Sequence, residues 1–236
     1  MARKQTTKKT PRKPLKVSFD DEAGVLKEIA KELDIDKCDL DIRRGSAPNG
    51  YGDAYEISTR GGREWIVMKD DDEFEAAALQ GVKNDLDENP ENFEPSFIES
   101  HIDMKHLRDE LHADCLSGAM DYASEIGDRR FWQEAGRRGI EEPEPDEDGD
   151  VRSPTDEEIE SFAEDMVSDQ LKDPMEYLND IFGREDAVKK AIEIAGIDIK
   201  AAAKEAVSTD GAAHFMCGYD GNYNTSPSGF IYWRHN

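Results

Sequence analysis

The chain has 236 residues, of which 36% are hydrophobic and 36% charged, with a formal net charge of −25. Globular chains average about 45–50% apolar and about 25% charged residues, so the core is lean and the surface crowded with charge. No run approaches the roughly 18 apolar residues of a transmembrane helix, and the basic start lacks the apolar stretch of a secretory signal. Three cysteines (Cys38, Cys115, Cys217) argue against a disulfide framework and for a reducing, cytoplasmic setting.

Residues 1–16 contain Arg3, Lys4, Lys8, Lys9, Arg12, Lys13 and Lys16 and no acid, with almost nothing to bury. They are expected to form a disordered basic arm able to contact nucleic acid through phosphates, or a solubilising tail. The remainder, 17–236, carries 23 basic against 55 acidic residues, a net of −32.

Val25, Leu26, Ile29, Ala30 and Leu33 recur at helical spacing after Ser18 and Asp20. Residues 38–44 alternate like a strand. Tyr55–Arg60 and Arg63–Met68 flank Gly61-Gly62, the pattern of a hairpin closed by a two-residue turn. A helix is expected from about 70 to 86, with acids at its start. Residues 95–102 and 104–126 also read as helical, with Leu107, Leu111, Cys115, Leu116, Met120 and Ala123 on related faces.

Residues 139–155, rich in Pro, Gly and acids, predict a flexible acidic loop. Ser153 or Thr155 then caps a helix bearing Ile159, Phe162, Met166 and Val167, with Pro174 ending or kinking the run. Helical pattern resumes over 186–207. Residues 213–219 and 229–234 are aromatic and β-prone around a turn-rich segment, which predicts a second hairpin.

Two hairpins are each marginal alone. Joined in one sheet they bury Trp65, Phe215, Phe230 and Trp233. The expected fold is therefore α+β: an antiparallel sheet from an N-terminal-half hairpin and a C-terminal hairpin, with a long helical insertion packed on one face. It is read as a single domain over 17–236.

No motif supplies convincing catalysis or metal binding. His112/Cys115 and His214/Cys217 form two His-x-x-Cys pairs, but only a helix puts i and i+3 on one face, and the pairs lie about a hundred residues apart. Asp146, Asp148, Asp150 and Glu157 match calcium-loop positions, yet Val151 stands where the sharp turn requires Gly. There is no phosphate-binding Gly loop and no Gly-x-Ser-x-Gly elbow. Cys115 near His112 or His106 reads as packing, because a Cys on an apolar helix face is usually buried and inert. The chain is read as non-enzymatic, with no cofactor.

The acids are the informative feature. Asp70, Asp71, Asp72, Glu73, Asp85, Asp87 and Glu88 cluster in one stretch; Asp156, Glu157, Glu158, Glu160, Glu164 and Asp165 cluster in another. Spaced carboxylates can imitate DNA phosphates and be steered to a basic groove. The plain alternative is solvation. The expected partner is a basic protein, with nucleic acid at the arm, no membrane, and a homodimer left open.

Two segments resemble small tailed-phage accessory proteins. At the C-terminal end the resemblance rests on Gly211, His214, Phe215, Tyr219, Asp220, Gly221, Tyr232, Arg234 and Asn236, and in the middle on Asn92, Phe93, Pro95, Phe97, Ile98 and His101. It covers about a third of the chain and implies phage origin, an accessory role in the host cytoplasm or on the virion, and no carried-over catalytic residue. The arm separately resembles the histone H3 tail at Met1-Ala2-Arg3, Lys4-Gln5-Thr6 and Pro11-Arg12-Lys13. It departs by lacking a residue after Arg3 and several before Pro11, as convergence in a Lys/Arg/Thr-rich tail would.

Overall fold

The structure, a computed structural model, describes residues 16–148 and 150–236. They form two compact units: one from residues up to Val82 together with Lys204–Asn236, the other from Lys83–Ala203. The basic arm lies outside the described residues except for Lys16, which is exposed.

The first unit is an α+β fold around a five-stranded antiparallel sheet in the order β1-β2-β3-β5-β4. Its strands are β1 (Leu40–Ser46), β2 (Asp53–Thr59), β3 (Glu64–Met68), β4 (Asn224–Thr225) and β5 (Ile231–Arg234). The expected first hairpin is present, with Tyr55 opposite Val67 and Ile57 opposite Trp65. Its connection is longer than two residues. The Gly62 N–H donates to Thr59 O at 2.9 Å and Thr59 N–H to Arg63 O at 2.9 Å, while Gly62 takes φ +79°. This is a type I turn followed by a glycine bulge.

Residues opposite one another share a sheet face. Tyr55, Ile57, Val67 and Tyr232 therefore point together and form one core with Phe19, Val25 and Ile29. Val25 and Ile29 come from α1 (Glu22–Glu32), whose start is capped by the Asp21 carboxylate accepting from Gly24 N–H. Each such side chain contributes about 1.5–3 kcal/mol when fully buried. On the other face Trp233 meets Phe74 of α2 (Asp71–Glu88) at 5.2 Å between ring centroids.

The second hairpin exists, but its first strand is Asn224–Thr225 and not 213–219. Residues Ala212–Met216 form the short helix α10 instead. The aromatic pattern there misled, because the end of α10 and its C-cap bury the adjacent pair Met216 and Cys217, which a one-sided strand cannot do. Phe215 stays only half-buried, whereas Trp65, Phe230 and Trp233 are buried as expected.

The helical insertion forms the second unit. It contains α3 (Pro95–Ser100), α4 (Met104–Ile126), α5 (Asp128–Arg137), α6 (Asp156–Gln170), α7 (Pro174–Phe182), α8 (Arg184–Ile194) and the start of α9 (Ile199–Asp210). Pro174 begins a helix rather than ending one, since its missing N–H costs nothing at the first helical position. The run expected over 186–207 breaks at Gly196, which takes φ +60° and would place a Cβ 2.8 Å from the His106 ring.

Leu107, Leu111, Cys115 and Ala119 form the buried stripe of α4 at four-residue intervals. Met120, expected near that stripe, is 54% exposed. Phe131 of α5 meets Phe162 of α6 at 5.1 Å. Among the described residues, 139–155 holds no helix or strand. Among the described residues no helix is long and apolar enough to cross a membrane.

Candidate functional site

The charge is divided unequally. The second unit holds 35 acidic and 13 basic residues, a net −22 of the chain's −25. The first unit holds Asp70–Glu73; Asp85, Asp87, Glu88 and the acids of 156–165 belong to the second.

At the start of α2 the acids are partly structural. The Asp70 carboxylate accepts from Glu73 N–H at 3.0 Å, and Lys69 pairs with both Asp70 (3.7 Å) and Glu73 (3.8 Å). Asp71 and Asp72 are exposed. Asp85, Asp87 and Glu88 are exposed at the other end of α2, whose last turn holds no basic residue. Carboxylates there oppose the helix dipole at about 0.3–1 kcal/mol each.

On α6 two kinds of acid separate by face. Glu158 completes a capping box with Thr155: its carboxylate accepts from Thr155 N–H at 2.8 Å, while Thr155 Oγ1 accepts from Glu158 N–H. Arg152 also donates to it with both Nη1 and Nη2. These contacts, Arg152's hydrogen bond foremost, pull the Glu158 pKa down to about 2. Asp165 and its neighbour Asp169 pair with Arg138, whose guanidinium lies over the Phe162 ring at 5.4 Å.

Asp156, Glu157, Glu160 and Glu164 differ. All are exposed, and none takes part in an ion pair among the described residues. At 3.6 residues per turn they fall in an arc of about 100° and cover about 12 Å of axis. That averages one carboxylate about every 4 Å of axis, near the ~3.4 Å mean phosphate rise of one DNA strand.

The other candidates resolve as structure. Cys115 Sγ donates to Gln170 Oε1 at 3.3 Å, and burial pushes its thiol pKa up. Burial, with Asp220 nearby, pushes Cys217 up to about 12. Asp146 turns its Oδ1 onto Asp148 N–H and Asp150 N–H, at 3.0 and 2.9 Å. Among the described residues no group of three or more His, Cys, Asp or Glu side chains is placed to hold a metal ion.

Residues singled out in the sequence at the C-terminal end and in the central segment also do structural work. Arg234 lies over the Tyr219 ring at 4.2 Å, and Asp220 accepts from Asn222 N–H. Asn236 accepts from Glu64 N–H and donates to Glu64 Oε2, both at 2.9 Å, fastening β5 beside β3. In the central segment Pro95 starts α3, Ile98 is fully buried, Phe93 stacks on Phe97, and the His101 ring meets Phe97 tilted at 4.6 Å.

Sequence reasoning missed Arg152 and Arg138, which sort the α6 acids into neutralised and free. Arg138 lies 31 residues from Asp169 and gave no local signal, and Arg152 lies six residues before Glu158, outside the three- and four-residue spacings of a helix face. Comparison with protein-family models, curated proteins and solved structures finds no match for the chain.

Proposed function

We propose that this is a non-catalytic protein whose acidic helical unit docks on a basic, nucleic-acid-handling protein and occupies a groove that otherwise takes phosphates. The free carboxylate row of Asp156, Glu157, Glu160 and Glu164 on α6 carries the reading. Uncompensated charge at this spacing costs the fold self-repulsion and gives long-range steering toward a positive partner. The resemblance to tailed-phage accessory proteins supports a role in infected cells, where a host defence or restriction enzyme is a fitting target. Capture from host lysate at low salt tests it. A basic protein should be recovered whose affinity falls steeply with added salt and falls again when the four carboxylates become amides. A complex insensitive to both changes overturns the reading.

The seven basic residues of the arm favour a second reading, in which the arm contacts nucleic acid in a structural or genome-associated role. Deleting residues 2–16 separates the two. Loss of nucleic-acid binding supports the second; unchanged inhibition of a partner supports the first.

A further inference from the structure

The free carboxylates of α6 border an apolar groove on the second unit. Met120 of α4 and the half-buried Ile159 of α6 lie at the junction of two adjoining cavities of about 240 and 460 Å³. Leu116 extends the floor at one end, and Ala123 and Pro154 at the other. Three carboxylates, Asp128, Asp156 and Glu160, stand at its edge, while no lysine or arginine lines it among the described residues. From Leu116 to Gly127 the groove follows about 16 Å of α4, the length of about three turns of a docked helix.

Such a surface restricts its occupant. A wholly polar partner leaves Met120 and Ile159 unsatisfied, and a wholly apolar one strips water from the carboxylates without replacing it. We infer that the groove takes a basic amphipathic helix of the partner, its apolar side chains on Met120 and Ile159 and its Lys or Arg side chains over Asp128, Asp156 and Glu160. This rests on the proposed docking role of α6 and names what the partner presents. Methionine suits the floor, since its unbranched side chain adapts to apolar groups of different shape.

The test uses the full chain and two synthetic helices of equal length and lysine content. One carries Leu at i, i+3, i+4 and i+7; in the other every Leu is Gln. The Leu helix should bind about tenfold or more tightly than the Gln helix. Met120→Gln should remove that difference, Met120→Leu should keep it, and the Met120 methyl resonance should shift only with the Leu helix. Equal, salt-sensitive binding of both helices overturns the groove and leaves the acidic docking role standing. Binding of neither also overturns the groove, and the lysate capture then judges the wider role separately. Binding that appears only after residues 2–16 are deleted assigns the groove to the chain's own arm and overturns the partner helix.

Discussion

The indole Nε1 of Trp132 donates a 2.7 Å hydrogen bond to the main-chain oxygen of Arg152, and the Arg152 guanidinium lies over the same ring at 5.2 Å. Arg152 in turn holds Glu158 in the α6 cap. One fully buried tryptophan thereby fixes where the acidic loop ends and where the carboxylate row begins.

Trp132→Phe keeps an aromatic ring, though a smaller one, and leaves the Arg152 carbonyl without its donor. A loss of about 1–2 kcal/mol is expected in urea unfolding. Trp132→Ala adds a cavity and should cost about 3–5 kcal/mol. A Phe variant as stable as the parent would show that neither the hydrogen bond nor the lost ring volume carries net stability.

Acid should weaken both units through identified groups. Glu158 has its pKa lowered from 4.5 to about 2. A lowered carboxylate pKa gives stability that is fully present above the unfolded value and is lost as pH falls through the folded one. The Glu158 contribution is therefore complete above about pH 4.5 and disappears toward pH 2. For Glu28, burial raises the pKa, but bonds from Ser226 and Ser228 outweigh it and leave a net lowering. Its contribution likewise fades in acid. Glu158→Gln should flatten the stability profile between pH 4.5 and 2, measured by circular dichroism.

Thiol labelling should report folding. Cys38 is exposed, while Cys115 and Cys217 are buried with raised pKa values. The thiolate is the reacting form. At pH 8 a neutral alkylating reagent should modify Cys38 alone, and all three cysteines only in denaturant, as read by intact mass. Rapid modification of Cys217 in the native protein would contradict its burial.

Gly196→Ala should destabilise the second unit by more than 1 kcal/mol. The residue has φ +60°, and the added methyl meets the His106 ring at 2.8 Å. Gly62→Ala, also at positive φ but with open space around it, should cost about 1 kcal/mol. Thermal unfolding of both variants separates crowding from backbone strain.

Much of the fold was legible where the pattern was local and periodic. The α1 stripe Val25–Ile29 and the alternation across Tyr55, Ile57, Trp65 and Val67 each specify a face without help from distant residues. The α+β arrangement followed because two hairpins need one sheet. The 213–219 segment failed because aromatic content was taken for alternation. Met120 was misplaced because its spacing fits the flank of the α4 stripe as well as the stripe itself. The acids were visible as composition, but their division into paired and free depends on Arg138, which reaches Asp169 across 31 residues of chain, and on Arg152, which reaches Glu158 from the loop just before α6.

β5 pairs with β3, and Asn236 grips Glu64 across 172 residues of chain. At synthesis rates of about 5–20 residues per second, roughly 10–30 s separate the making of these two partners. The helical insertion emerges in that interval. Newly made β3 meanwhile presents an unoccupied hydrogen-bonding edge, Trp65 to Met68, the kind that captures foreign strands. A nascent chain interrupted before Phe230 would keep that edge open, so premature termination should produce aggregates rather than a smaller folded protein.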